Sequence, residues 1–274
     1  MRLRGRVLAI AGSDSGGGAG LQADIKTITA LGAYAATAVT ALTAQDTAGV
    51  HGVFPVPAGF LRLQIELALA DIGADAIKTG MLGDSASIEA VAEALAAGPR
   101  VPLVIDPVMV AKGGHRLMGP AATAALTERL FPLARVVTPN LPEAEALTNR
   151  AIPDLAAMRE AARALLALGV PAVLLKGGHL PGDIVTDLLA TAEGIEEFAA
   201  ARIDTRHTHG TGCTLASAVA AGLAQGMALP DAVRRARAYV RAAIATAPGF
   251  GRGHGPLNHA VTVDETRAAH PSGS

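Results

Sequence analysis

Short apolar runs recur along the chain, separated by longer stretches of helical periodicity. This alternation constrains the fold more than any other feature. The runs are Val7–Ala11, Ala35–Leu42, Ala74–Thr79, Leu103–Asp106, Val136–Thr138 and Ala172–Lys176. Runs of this length, bounded by turn-forming residues, read as strands buried on both faces. Between them the spacing predicts helices over Ala58–Asp71, Ser85–Ala97, Ala121–Arg129 and Leu155–Leu168, with Asp84 and Asp154 at capping positions and Gly169 as a stop signal. Such β-α alternation builds a mostly parallel sheet with helices on both faces, an α/β fold. Toward the C-terminus the pattern changes to a hairpin, Ile184–Ala190 with Ile195–Ile203, followed by Ala-rich helices over Gly212–Gly226 and Pro230–Ala247. The tail from Gly249 is rich in Gly, Pro and His and is expected to fray at its last residues. No repeat or linker divides the 274 residues, so the reading is one domain, residues 1–274, with its core at about 7–260.

Composition then excludes whole classes of function. Half the residues are hydrophobic and 17% are charged, which is too apolar for disorder. A single cysteine cannot make a disulfide framework. A net charge of −1, two Tyr, five Phe and no Trp offer nucleic acid neither a field nor a stacking platform. Arg2, Arg4 and Arg6 precede a five-residue apolar run, shorter than the about 7–15 residues of a signal-peptide core. The uncharged stretch between Lys26 and Asp46 carries five threonines and is too polar to span a bilayer. The expectation is a cytoplasmic protein without membrane or nucleic-acid partners.

In an open parallel sheet, ligands sit beyond the carboxyl ends of the strands. The polar clusters fall there: Gly12–Gly20, Gln45-Asp46, Thr79-Gly80-Met81, Asp106-Pro107-Val108, Thr138–Glu143 and Lys176–His179. Gly12–Gly20 follows a strand and opens a helix, where glycines allow close backbone approach and a helix N-terminus favours anions. Gly18-Ala19-Gly20-Leu21-Gln22-Ala23 fits the dinucleotide pattern, but the second strand lacks the acid that pattern expects; the next acid is Asp46. This loop is either a ligand loop or a tight structural turn.

His209-Gly210-Thr211-Gly212-Cys213-Thr214 leads into a small-residue helix. Two glycines before a helix aim several N–H groups at one point, a nest for an oxyanion or a phosphoryl group in flight. Cys213 sits in the first helical turn, where a thiol pKa falls, so it is expected to serve as a base near neutral pH; the alternative is a buried thiol acting as a small hydrophobe. Asn140 and Glu143 stand three apart at a helix start, as plain capping residues or as organisers of Mg²⁺ around nucleotide phosphates. Lys26, Lys78, Lys112 and Lys176 are the only lysines. Lys176 ends a strand and suits phosphate as a point charge. Lys112–Met118 is read as a loop over the site or as plain surface. His207 and His209 lack partners at metal-ligand spacing, and no G-x-S-x-G elbow occurs.

These motifs in this order resemble the ribokinase-like superfamily, and within it the hydroxymethylpyrimidine/phosphomethylpyrimidine kinases. The resemblance rests on Ala9–Asp14, Gly17–Thr27, Thr40–Gln45, Lys78–Leu82, Asp106–Met109, Thr138–Ala144, Leu175–His179 and Thr208–Thr214. It implies a three-layer α/β/α sandwich and ATP-dependent phosphorylation of a pyrimidine's hydroxymethyl oxygen, then of the monophosphate. Gln45 would read the ring edge, and Gly12, Ala19, Asp24, Met81 and Val108 would line the pocket. Asn140, Glu143, Lys176 and Thr208 would address ATP, with Glu143 and Asp106 toward Mg²⁺. Gly210, Thr211, Gly212 and Cys213 would form the anion hole, with Cys213 where the superfamily commonly has an aspartate base. The resemblance further suggests a homodimer. Two features depart from the common pattern: the first loop reads Asp14-Ser15-Gly16-Gly17-Gly18 where Asp-Pro-Ser-Gly-Gly is common, which changes its stiffness, and Asp46 replaces an asparagine and adds charge near the pocket. A pyridoxal or pyridoxine kinase is the alternative within the class; a dinucleotide-dependent oxidoreductase and a non-catalytic pyrimidine-binding protein are alternatives outside it.

Overall fold

In the computed structural model, which describes residues 4–109 and 118–263, the apolar runs assemble into one nine-stranded sheet. Its strands are β1 (Arg6–Asp14), β2 (Tyr34–Gln45), β3 (Val50–Pro55), β4 (Ala76–Thr79), β5 (Leu103–Ile105), β6 (Val136–Val137), β7 (Ala172–Leu175), β8 (Ile184–Thr191) and β9 (Gly194–Ala201). They lie in the order β3-β2-β1-β4-β5-β6-β7-β8-β9. Pairing is parallel from β2 through β7, while β3 at one edge and β8–β9 at the other run antiparallel. The helices are α1 (Gly20–Ala30), α2 (Ala58–Asp71), α3 (Ser85–Ala97), α4 (Pro120–Ala125), α5 (Leu141–Thr148), α6 (Leu155–Leu166), α7 (Thr211–Ala224) and α8 (Leu229–Ala245).

The two-residue side-chain period of β1 sorts the helices into layers. Leu8 and Ile10 point into a core shared with Leu61 and Ile65 of α2, Ile88 and Val91 of α3, and Met158 and Leu165 of α6. Val7, Ala9 and Ala11 point into the opposite core with Leu21 and Ile28 of α1, Val219 of α7, and Val233 and Val240 of α8. The result is the expected α/β/α sandwich. Each fully buried aliphatic side chain contributes about 1.5–3 kcal/mol, so this central strand anchors both faces. Small residues let α7 lie close to its neighbours: a Cβ on Gly222 would sit 2.7 Å from the Cβ of Ala232.

Helix starts follow the capping residues read in the sequence. Asp84 accepts from the Ser87 N–H and Asp154 from the Ala157 N–H, both at 2.8 Å. The helix expected over Ala121–Arg129 is instead α4 followed by a π-helical turn, Leu126–Leu130, and a 3₁₀ turn, Phe131–Leu133, which together bury Leu126, Leu130 and Phe131. The tail from Gly249 is docked as far as Val263: His254 N–H donates to the Thr47 carbonyl and Asn258 N–H to the Ala243 carbonyl. The end expected to fray, residues 264–274, and all of the Lys112–Met118 loop except Met118 lie outside the described residues. Among the described residues, no helix is long and apolar enough to cross a membrane.

Candidate active site

The parallel strands bring the polar clusters to one sheet edge, and backbone hydrogen bonds stitch them together. Gly80 N–H donates to the Ile10 carbonyl, Asp106 N–H to Thr79, Thr138 N–H to Ile105, and Lys176 N–H to Pro139. The N-terminus of α7 then descends onto this edge from the far end of the chain. At Gly212 a Cβ would lie 3.2 Å from Lys176 Nζ and 3.6 Å from Asp106 Oδ2. At Gly210, where φ is +84°, a Cβ would fall 1.8 Å from the Gly18 carbonyl oxygen. Glycine is therefore required at 210, while at 212 a Cβ would press on the Lys176 ammonium.

The glycine loop corrects one expectation. Its amides do not await an outside anion: Gly16, Gly18 and Ala19 N–H all donate to the carboxylate of Asp14, which is 3% exposed. A pyrophosphate has no cradle there, which removes the basis for the dinucleotide reading. Burial opposes ionisation of Asp14, but bonds from His209, Ala19 and Gly16 outweigh it and hold the carboxyl below its ordinary pKa. His209 Nε2 lies 3.0 Å from Asp14 Oδ2 and 3.1 Å from the Gln45 side-chain amide. His209, weighed from sequence only as a metal ligand, is thus a hydrogen-bonding partner of two loops.

The α7 N-terminus presents an open nest. Thr211 turns both its N–H and its hydroxyl onto the Thr208 carbonyl, and Thr214 N–H returns to the Gly210 carbonyl. Among the described residues, no protein acceptor meets the Gly212 and Cys213 N–H groups. Beside them, Lys176 Nζ donates to Asp106 Oδ1 at 2.8 Å, and the Thr138 hydroxyl donates to the same oxygen at 3.0 Å. Asn140 and Glu143 form a reciprocal capping box: Asn140 Oδ1 accepts from the Glu143 N–H, and Glu143 Oε2 from the Asn140 N–H. Both side chains therefore have a structural role first. Burial raises the Glu143 pKa to about 7; the Lys176 ammonium lowers it and the like charge of Asp106 raises it further.

Three further placements differ from expectation. The helix-start position of Cys213 predicts a base near neutral pH, but burial pushes its thiol up to about 11. Lys78 acts against that shift, but Asp24 and Asp106 reinforce it. Asp24 was read as pocket lining, yet it is 0% exposed, and both its oxygens accept from Lys78 Nζ at 2.9 Å, with Ser217 donating as well. Burial favours the neutral amine of Lys78, but Asp24, with Asp106 beyond it, keeps the ammonium proton above its ordinary pKa. Asp46 directs its carboxylate into its own turn, accepting from Ala48 and Gly49 N–H and facing His51, rather than toward the loop around Asp14. Met81 stacks over the backbone of Gly12, where a Cβ would lie 2.4 Å from Met81 Cε, and Val108, two residues after Asp106, donates its N–H to that residue's carbonyl. No group of three or more His, Cys, Asp or Glu able to cage a metal occurs among the described residues.

A twisted sheet with helices on both faces, an open amide nest at a helix start and a lysine-bearing strand end beside it define a ribokinase-like small-molecule phosphotransferase. The family model described as phosphomethylpyrimidine kinase matches residues 14–258, and the chain belongs to that family. It is 52% identical over 264 residues to the thiamine biosynthesis bifunctional protein ThiED of Geobacter sulfurreducens, covering 96% of this chain but 54% of that protein, so the chain spans about half of that relative. It is 49% identical to the hydroxymethylpyrimidine/phosphomethylpyrimidine kinase of Streptomyces coelicolor, covering 94% of this chain and 96% of the relative. Among solved structures, the pyridoxal kinase of Staphylococcus aureus in complex with AMP-PCP and pyridoxal superposes with a TM-score of 0.87 at 37% identity, covering 95% of each chain.

Proposed function

We propose that the chain transfers the γ-phosphoryl group of ATP to the hydroxymethyl oxygen of 4-amino-5-hydroxymethyl-2-methylpyrimidine, and then phosphorylates the monophosphate, in thiamine biosynthesis in the cytoplasm. The observation that carries this reading is the pair of N–H groups at Gly212 and Cys213, which meet no acceptor among the described residues and are set against Lys176. A loose phosphoryl-transfer transition state spreads charge over its equatorial oxygens and asks chiefly for positioned donors. The nest supplies those donors, and the macrodipole of the 14-residue α7 adds partial positive charge. Thr211 fixes the nest through Thr208, and Lys176 supplies a point charge for the nucleotide phosphates. Asn140 keeps its amide N–H₂ for the nucleotide, since its capping bond uses the oxygen. Gly12, Ala19, Gln45, Met81 and Val108 would line the ring end of the pocket, with Met81 Cε against the backbone of Gly12.

Mg²⁺ fits the donor set without a protein cage, because it retains water and takes one or two carboxylates beside phosphate oxygens. Asp106 and Glu143 would hold it; burial chiefly raises the Glu143 pKa and the like charge of Asp106 adds to that, so a cation there would favour both carboxylates. When bound, Mg²⁺ supplies charge neutralisation to the phosphates. The phosphomethylpyrimidine kinase family match over residues 14–258, with the 49% identity to a hydroxymethylpyrimidine/phosphomethylpyrimidine kinase along nearly the whole of both chains, favours the pyrimidine as substrate. A homodimer is supported by the exposed apolar side chains of Leu42, Phe54, Phe60 and Leu67 on the β2–β3–α2 edge, and sedimentation would report it.

The deciding experiment measures ADP release by the purified chain with ATP–Mg²⁺ and, separately, hydroxymethylpyrimidine, its monophosphate and pyridoxal. Turnover on both pyrimidines is expected. No ADP above the blank with either pyrimidine sinks the reading, and a higher kcat/KM on pyridoxal transfers it to the pyridoxal kinases.

A further inference from the structure

The Gln45 amide has two neighbours whose chemistry decides which way round it lies. Its ends sit 3.1 Å from His209 Nε2 and 3.4 Å from Thr43 Oγ1. Amide oxygen and nitrogen are assigned from such neighbours, because their positions alone do not distinguish them. The Asp14 carboxylate only accepts, and three backbone N–H groups fix it 3.0 Å from His209 Nε2, so that nitrogen carries a proton. A ring nitrogen committed as a donor has no lone pair for an N–H₂ group, and the amide end facing it is the oxygen. Thr43 gives the same answer independently. Its single hydroxyl proton goes to the Ser13 carbonyl at 2.8 Å, so it offers Gln45 a lone pair and meets the amide nitrogen.

We propose that His209 is a specificity-determining positioning residue, which fixes the polarity with which the Gln45 amide meets a bound ring. This deepens the kinase reading above and rests on it. Gln45 keeps one acceptor site and one N–H side by side, the complement of a ring nitrogen next to an exocyclic amino group. Turned over, the amide would set donor against donor. The Gln45 backbone is tied to the first loop: its N–H donates to Ser15 Oγ, and that hydroxyl donates to the Gln45 carbonyl, both at 2.9 Å. His209 is equally held, with its N–H on the Gly255 carbonyl at 3.2 Å and its ring packed where a Cβ on Gly18 would come within 2.5 Å. The glycine at 18 thus makes room for the imidazole.

The test compares the full chain and His209→Phe on hydroxymethylpyrimidine and on the analogue lacking its amino group, with thermal unfolding recorded for both proteins. Losing one oriented hydrogen bond is expected to raise KM for the parent pyrimidine about 3- to 10-fold, with kcat within about twofold. KM for the analogue is expected to stay constant, so discrimination between the two shrinks. His209→Gln, whose amide N–H can replace the imidazole donor, is expected to recover part of it. An equal rise in KM for both substrates, or a fall in kcat at constant KM, overturns the proposal. A second measurement is independent of turnover. Long-range ¹H–¹⁵N spectra of the wild-type imidazole are expected to show Nε2 protonated. A neutral ring protonated only at Nδ1 overturns the proposal even when the pyrimidine is a good substrate. Wild-type protein without pyrimidine turnover defeats the kinase reading instead.

Discussion

Cys213 is the only cysteine, so its protonation can be measured without ambiguity. Burial raises its pKa from 9.0 to about 11, against the pull of Lys78 and the Gly20 N–H and with the help of Asp24 and Asp106. Two pKa units correspond to about 2.7 kcal/mol in favour of the thiol. At pH 7.5 about 0.03% of such a group is thiolate, against about 3% at a pKa of 9.0. Alkylation by iodoacetamide, followed by mass spectrometry, should therefore run about 100-fold slower than on an unshifted thiol from ionisation alone. Restricted access scales the rate equally at every pH and leaves the midpoint unmoved, so the midpoint is the diagnostic. The rate is expected to climb about tenfold per pH unit through pH 9 without a plateau. A plateau with its midpoint near pH 7 would refute the reasoning and restore the thiolate base. A protonated thiol accepts no proton, so Cys213→Ala should lower kcat by less than the about 10²–10⁴ that general-base catalysis supplies.

Three other outcomes are expected. Lys78→Met strands the buried Asp24 carboxylate and should destabilise the fold by about 3–5 kcal/mol, while Lys78→Met with Asp24→Leu should recover most of it, less about 1–3 kcal/mol for the unpartnered Ser217 hydroxyl. Urea unfolding reads both, and a double variant no better than the single contradicts the assignment. Burial depresses the pKa of His259 from 6.5 to about 4, so its contribution is complete above pH 6.5 and is lost as pH falls toward 4, to a total of about 3 kcal/mol. The wild-type urea midpoint should therefore fall more steeply across that window than that of His259→Gln, and parallel slopes would count against it. Gly210→Ala and Gly226→Ala share a left-handed backbone (φ +84° and +82°), but only the first meets another chain segment. Gly226→Ala should lose about 1 kcal/mol and keep its activity, whereas Gly210→Ala should lose activity as well as stability. Equal activities would show that the contact with Gly18 is dispensable.

The central strands were legible because a strand buried on both faces is apolar at every position; Ile10, Ile77, Val104 and Val137 need no partner to be read as core. β3 left no such signal. Val50–Pro55 is mostly exposed, contains His51 and Gly52, and is a strand only because β2 offers it an edge. The glycine nests were legible as places where backbone N–H groups converge, but what fills them was not. Asp14 fills the first from four or five residues away, a local possibility that glycines following an aspartate do suggest. The Lys78–Asp24 pair spans 54 residues and the His209–Asp14 pair 195, and no local pattern carries that information. The capping box at Asn140 and Glu143 was visible as one of two readings, and its geometry shows that the structural role holds whichever ligand binds.

The packing of α7 also governs how the chain comes to be folded during its synthesis. Its Ser217 closes on Asp24 across 193 residues, and its apolar positions cover Val7, Ala9 and Val104 of the sheet. Every strand of the sheet therefore leaves the ribosome before α7, which joins α1 on the second face. Until residue 224 is out, α1 alone of the three helices of that layer covers the face, and the Lys78–Asp24 pair lacks its third partner. Contacts of this separation make for slow, late-stage completion, with apolar surface open to other chains meanwhile. Because α7 also carries the amide nest, the helix that extends the cover of this face also completes the candidate site, and α8 closes the layer after it.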